Sequence, residues 1–336
     1  MTVIDAKTRL DDPDPHAPRD PPISSTLAEA TTVSGLTLIS ETVGGAYPLA
    51  DLFDRVKRVD AVIATRPDKY MRVLTGADLR AAKASGRMGI AYDIQGTAEL
   101  GDDPAMVARL KDAGVRTVQL TYNLHTATGD GCMVANDAGL TDFGRAVVAE
   151  ANRLGLLIDV SHVGHRTAAD AVAVSAASPA LTHGGCYDVT PHPRNMPDAV
   201  LRALADKGGV FGIYLMPYLR AQGQADKGDV LRHIEHALQV CGEDHVGLGS
   251  DGVIPPLNLT PEYRAYWRKD VYEPRVRDGV VAPNEGPDIF NYVPDYNSAE
   301  RYYRIGDDLI RRGHSLARVE KILGGNFARL FGEVWT

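Results

Sequence analysis

The sequence predicts an α/β protein built as a (β/α)8 TIM barrel, and three observations lead there. From residue 33 onward, eight short apolar runs recur, each near-continuous as in strands buried on both faces of a parallel sheet. Amphipathic helical stretches separate them, in the number of strand-plus-helix units that such a barrel needs. The first run, VSGLTLIS, is followed by ETVGG, which lacks the GxGxxG spacing of a doubly wound nucleotide-binding sheet.

Taken in order, the expected strands are 33–40, DAVIAT at 60–65, MGIAYDIQ at 88–95, VRTVQLTY at 115–122, GLLIDVSH at 155–162, PALTH at 179–183, GVFGIYL at 209–215 and HVGLGSD at 245–251. The clearest helix is TDFGRAVVAEANRLG (141–155), in which Phe143, Val147, Val148, Ala151 and Leu154 share a face. Asp142 suits its positive N-terminus and Gly155 its end. Ahead of the strands, residues 1–25 are rich in Asp and Pro, and read as a flexible N-terminal arm or a strap on a neighbouring subunit. Residues 26–336 then form one barrel domain, with an aromatic and proline-rich insert at 252–297 after the eighth strand.

Composition narrows the function. With 36 basic against 44 acidic residues, the net charge of -8 leaves no basic excess for nucleic acid. No apolar run is long enough to span a bilayer, and the N-terminus lacks the apolar stretch of a secretory signal, so a cytoplasmic protein is expected. Three scattered cysteines, Cys132, Cys186 and Cys241, support neither a disulfide framework nor a cysteine-built zinc site.

Active sites of such barrels gather at the C-terminal ends of strands. Reading those ends gives Gln95, Tyr122 and Asn123, Ser161 and His162, His183, and Ser250 and Asp251. His162, His183 and Asp251 make a set able to hold zinc or to surround it. Neutral imidazoles ligate the ion, and a carboxylate takes a proton from the water it acidifies. The plainer alternative is that each histidine is a hydrogen-bonded structural residue. His233 and His236 read as helix-surface residues and His165 as a polar helix start. His125 reads as a loop residue near the mouth, and His192 equally as a substrate contact or as loop structure. Arg194 has the forked guanidinium that grips a carboxylate, or is a surface residue at a helix start.

Several segments together resemble the membrane dipeptidase (renal dipeptidase, peptidase M19) family. They are GLTDFGRAVVAEANRLGLLIDVSHVG, LTHGG, PRNMPDAVLRALADKGG, HVGLGSDGV and GGNFARLF, in that order along the chain. The resemblance implies a barrel of the metal-dependent-hydrolase (amidohydrolase-like) type. It implies His162 and His183 as metal ligands, Arg194 as the substrate carboxylate clamp and Asp251 as the catalytic carboxylate. Tyr122 stands where the family has a substrate-contacting histidine. Gln95 stands for a bridging glutamate, a neutral amide in place of a charged bridge. The family's strand-one H-x-D, following a D-G pair, aligns on this reading with residues 34–38, leaving leucines at both ligand positions.

A one-metal site, with Zn2+ on His162, His183 and possible third ligand Gln95 or Asp251, follows from this pattern. The expected activity is hydrolysis of a dipeptide or small amide bearing a free carboxylate, with Asp251 and Tyr122 catalytic and Arg194 and Tyr122 binding substrate. Two alternatives stay open. One is a barrel enzyme acting otherwise on a small amino-acid derivative, and the other a metal-free, non-catalytic relative. The resemblance also implies a homodimer.

Overall fold

The computed structural model describes residues 1–17, 23–45 and 49–336. Eight parallel strands follow one another around a nearly closed barrel: β1 (Ile4–Asp5), β2 (Leu38–Gly44), β3 (Met88–Gln95), β4 (Val115–Gln119), β5 (Leu157–Asp159), β6 (Ala180–Gly184), β7 (Val210–Ile213) and β8 (Val246–Leu248). Ala6 N donates to Leu248 O at 3.0 Å and Asp251 N to Lys7 O at 2.7 Å, which brings β1 against β8. A three-residue strand, Tyr70–Arg72, pairs outside this circuit with Met88–Ile90.

Two differences from the sequence reading cancel in the strand count. Residues 3–8, expected in a flexible arm, are buried, and Ile4 and Asp5 pair with Leu38 and Ile39. Their charged neighbours suggested a solvated segment, but Asp5 and Lys7 both find buried partners. Residues 18–22 of the expected arm lie outside the described residues. Conversely, DAVIAT ends a helix, Leu49–Thr65, because Leu52, Val56, Val59 and Val62 are buried at helical spacing. The run at 33–40 divides between the end of a helix, Ser25–Val33, and the start of β2.

That register moves the strand-one motif. The first barrel strand is β1, followed by Lys7, Thr8 and Arg9, so residues 34–38, set against strand one on the sequence reading, instead lead into β2. The expected helix forms over Asp142–Arg153, capped by Thr141, with Val147, Val148 and Ala151 buried.

The beginnings of the strands are sealed from below. Ile4, Leu38, Leu157, Ala180 and Val210 cluster with Phe327, Phe331 and Trp335 of the C-terminal helix and its cap. Gly247 has no side chain because a Cβ there would lie 2.6 Å from the Phe327 ring. With that end closed, polar groups collect at the other. Over it lies the segment after β8, whose Tyr263, Trp267 and Phe290 form an aromatic cluster of their own.

Candidate metal and substrate site

Both histidines lie at the strand ends that face the mouth, His162 just past β5. His162 takes φ 63°, and Asp251 φ 58°, left-handed backbone that a non-glycine residue adopts only when its surroundings enforce it. His183 lies within β6 itself. Ligand atoms of His162, His183 and Asp251 lie within 4.8 Å of one another.

Hydrogen bonds set both tautomers. Asn123 Nδ2 donates to Val280 O at 2.7 Å, which leaves Oδ1 to accept from His162 Nδ1 at 2.6 Å. Thr182 Oγ1 donates to Asp159 Oδ2 at 2.5 Å and therefore accepts from His183 Nδ1 at 2.9 Å. Each imidazole then turns an unprotonated Nε2 toward the same space, the arrangement by which outer-shell partners orient ligating histidines. Burial, with Arg194 nearby, holds the basicity of both well below the ordinary histidine value, so both are neutral. His183 Nε2 is buried, has no hydrogen-bond partner among the described residues, and lies 3.9 Å from Asp251 Oδ1. An orphaned lone pair, a second neutral imidazole and a facing carboxylate fit a zinc ion.

Arg194 completes the group. It is 4% exposed, with Nη2 donating to His162 Nε2 at 2.9 Å and lying 3.8 Å from Asp251 Oδ2, while Nη1 has no partner among the described residues. Burial raises the pKa of Asp251 above the usual carboxylate value, while Arg194, Lys7, Arg9 and Arg275 pull it down. Tyr122 stacks on His162, ring centroids 4.3 Å apart. A cavity of about 280 Å³ opens over these groups and is lined also by Gln95. The carboxylate that converges with the two histidines is Asp251; Gln95 sits on the cavity wall.

The sequence reading missed the groups that hold this wall in place. Arg275 donates to Tyr122 Oη at 3.1 Å and to both carboxylate oxygens of Glu285, which also accepts from Tyr218 Oη at 2.5 Å. His192 donates to Pro283 O at 2.8 Å. The 252–297 segment is thus pinned to Tyr122, Asn123, His192 and Tyr218, and no periodicity in it signals this. Lys7, at the end of β1, donates to Asp93 and Thr42 inside the mouth.

Four other histidines are held by hydrogen bonds away from this cluster. His233, expected on a helix surface, is fully buried and accepts from Cys186 N at 2.9 Å. His236 pairs with Asp198 at 2.7 Å, His165 bonds Asn195 O at 2.8 Å, and the exposed ring of His125 meets Asp130 at 2.6 Å.

The sequence profile of membrane dipeptidase, peptidase family M19, matches residues 45–255. An uncharacterized dipeptidase of Schizosaccharomyces pombe is 35% identical over 215 residues, 61% of this chain and 52% of that protein. Dipeptidase aclJ of Aspergillus oryzae is 28% identical over 291 residues, 84% of this chain and 61% of its own length. The chain therefore spans about half to three-fifths of the curated relatives that it matches. Among solved structures, an amidohydrolase from Pseudomonas aeruginosa superposes with a TM-score of 0.84 at 26% identity, covering 99% of this chain and 96% of that one. A Rhodobacter sphaeroides metallo peptidase, liganded with a phosphinate mimic of the dipeptide L-Ala-D-Ala, shares the fold with a TM-score of 0.80 at 18% identity, covering 100% of this chain and 99% of that one. No helix among the described residues is long and apolar enough to cross a membrane. With the profile running over more than half of its length, this chain belongs to the membrane dipeptidase (peptidase M19) family.

Proposed function

We propose that this protein is a metal-dependent hydrolase that cleaves a dipeptide, or another small amide with a free carboxylate, using a single zinc ion. One observation carries the reading: two neutral imidazoles and the Asp251 carboxylate converge within 4.8 Å beside a buried arginine. His162 and His183 would hold the ion, with Gln95 a further oxygen donor on the wall and Asp251 facing it as the proton acceptor.

A divalent cation held there supplies Lewis acidity, polarising a carbonyl and easing deprotonation of water. The chain's own groups do the rest. Arg194 binds the substrate carboxylate through its unpartnered Nη1 and so fixes which carbonyl faces the histidines. Asp251 takes a proton from water as the water oxygen bonds to the carbonyl carbon. When the C–N bond breaks, that proton passes to the leaving amine. The Tyr122 hydroxyl, held by Arg275, donates to the oxygen that gains charge.

The test is turnover. Zinc-loaded protein offered a dipeptide panel releases free amino acids, and the activity disappears on chelation and in a His162→Ala, His183→Ala double variant. A panel with no turnover by zinc-loaded protein would sink the reading. The cations Lys7 and Arg9, which follow β1 and line the cavity, favour a second reading, C–N cleavage of another small amino-acid derivative, which the same protein screened against amino-acid metabolites would separate.

A further inference from the structure

A buried ammonium is costly unless it is paired. Lys7 is 3% exposed, yet three strands converge to hold its charge. It leaves the end of β1 and donates to Thr42 of β2 and Asp93 of β3, and Ser40 secures the other Asp93 oxygen at 2.8 Å. These oxygens form a socket for one cation, and the cation is part of the chain.

The socket belongs to the same cavity. Lys7 lines it with Asp251, Tyr122 and Arg194, and its carbonyl oxygen accepts from Asp251 N at 2.7 Å. An ammonium has three N–H donors, and Asp93 and Thr42 account for two. Among the described residues, the metal-ligating cluster at this mouth is His162, His183 and Asp251; Asp93 is committed to Lys7 instead.

We propose that Lys7 is a catalytic residue whose ammonium takes the place of a second metal ion, limiting the site to one metal and donating to the substrate carbonyl oxygen. The inference rests on the hydrolase reading. As water bonds to the carbonyl carbon, the π electrons move to that oxygen and its new charge meets the Lys7 N–H. When the carbonyl re-forms, the C–N bond breaks and the amine leaves with the proton carried by Asp251. Lys7 keeps its own proton throughout. A fixed charge needs no reorganisation at the moment of reaction, the condition under which such donors act most strongly.

Two measurements test it: zinc per chain by mass spectrometry, and calorimetric binding of a tetrahedral phosphinate dipeptide analogue. They are made on the intact protein, on Lys7→Met, and on Lys7→Met/Asp93→Asn, which leaves no unpaired buried charge if the single variant fails to fold. We expect one zinc per chain in all three. Phosphinate affinity should fall tenfold or more in the variants, the range of a charged hydrogen bond, while affinity for the free amino-acid product changes less than threefold. Two zincs in the intact protein, or a phosphinate loss below tenfold in the double variant, overturns the proposal. Absence of zinc from the intact protein defeats the hydrolase reading instead, and the phosphinate comparison still decides the role of Lys7.

Discussion

Arg194 Nη2 and His162 Nε2 are 2.9 Å apart, so the guanidinium donates to the lone pair that a metal ion would take. The two uses of that nitrogen exclude each other. Arg194 is therefore both a competitor of the metal and, through Nη1, a receptor for substrate. Arg194→Met should bind zinc at least tenfold more tightly in competition with a chromophoric chelator, since a like charge and a competing donor are both removed. The same variant should raise KM about 10- to 100-fold, the scale of a lost charged hydrogen bond. Unchanged zinc affinity would show that Arg194 yields at no cost.

Residues 1–10 are a barrel strand and its continuation. Asp5, fully buried, accepts from Ser250 N at 2.7 Å, from Ser250 Oγ at 2.5 Å and from Tyr302 Oη. Deleting residues 1–10 should abolish cooperative melting by circular dichroism. Tyr302→Phe should cost about 1–3 kcal/mol in urea unfolding, the penalty for a buried acceptor deprived of one donor. A truncated chain that melts as the intact one does would contradict the fold.

The 252–297 segment reaches the site through Arg275. Arg275→Leu frees Tyr122 Oη and leaves Glu285 with Tyr218 but without its cation, so the segment should loosen. Faster limited proteolysis within 252–297, with kcat/KM lowered about 10- to 100-fold, is expected. Proteolysis at the original rate would mean that the aromatic cluster alone secures it.

Stability should also depend on pH through His233. Burial lowers its pKa from 6.5 to about 4. Because the unfolded chain binds the proton more readily, its contribution is full above about pH 6.5 and drains as pH falls toward 4. The loss amounts to roughly 3 kcal/mol at 1.36 kcal/mol per unit. Urea midpoints at pH 7.5 and 5 should differ more for the intact protein than for His233→Gln. Equal differences would rule the group out.

The convergence of the candidate ligands was readable because they end apolar runs. His162, His183 and Asp251 each close one, and the physical rule that barrel sites form at strand ends does the rest. β1 was hidden for the opposite reason. Val3 and Ile4 are followed by Asp5 and Lys7, whose partners Ser250 and Asp93 lie 245 and 86 residues away. DAVIAT misled because its β-branched residues favour a strand locally, while the burial of Leu52, Val56 and Val59 upstream continues a helical phase. Arg275 and Glu285 meet through an irregular segment, where spacing says nothing about contact.

The meeting of β1 with β8 has a kinetic consequence. Lys7 and Asp251 stand on opposite sides of that seam, and the bonds from Asp5 to Ser250 close a loop of 245 residues. Contacts this distant in the chain form slowly and late. A refolding chain should therefore recover helix content before it can bind any ligand at this mouth. Affinity for zinc or phosphinate, followed in time, becomes a clock for the last step of folding.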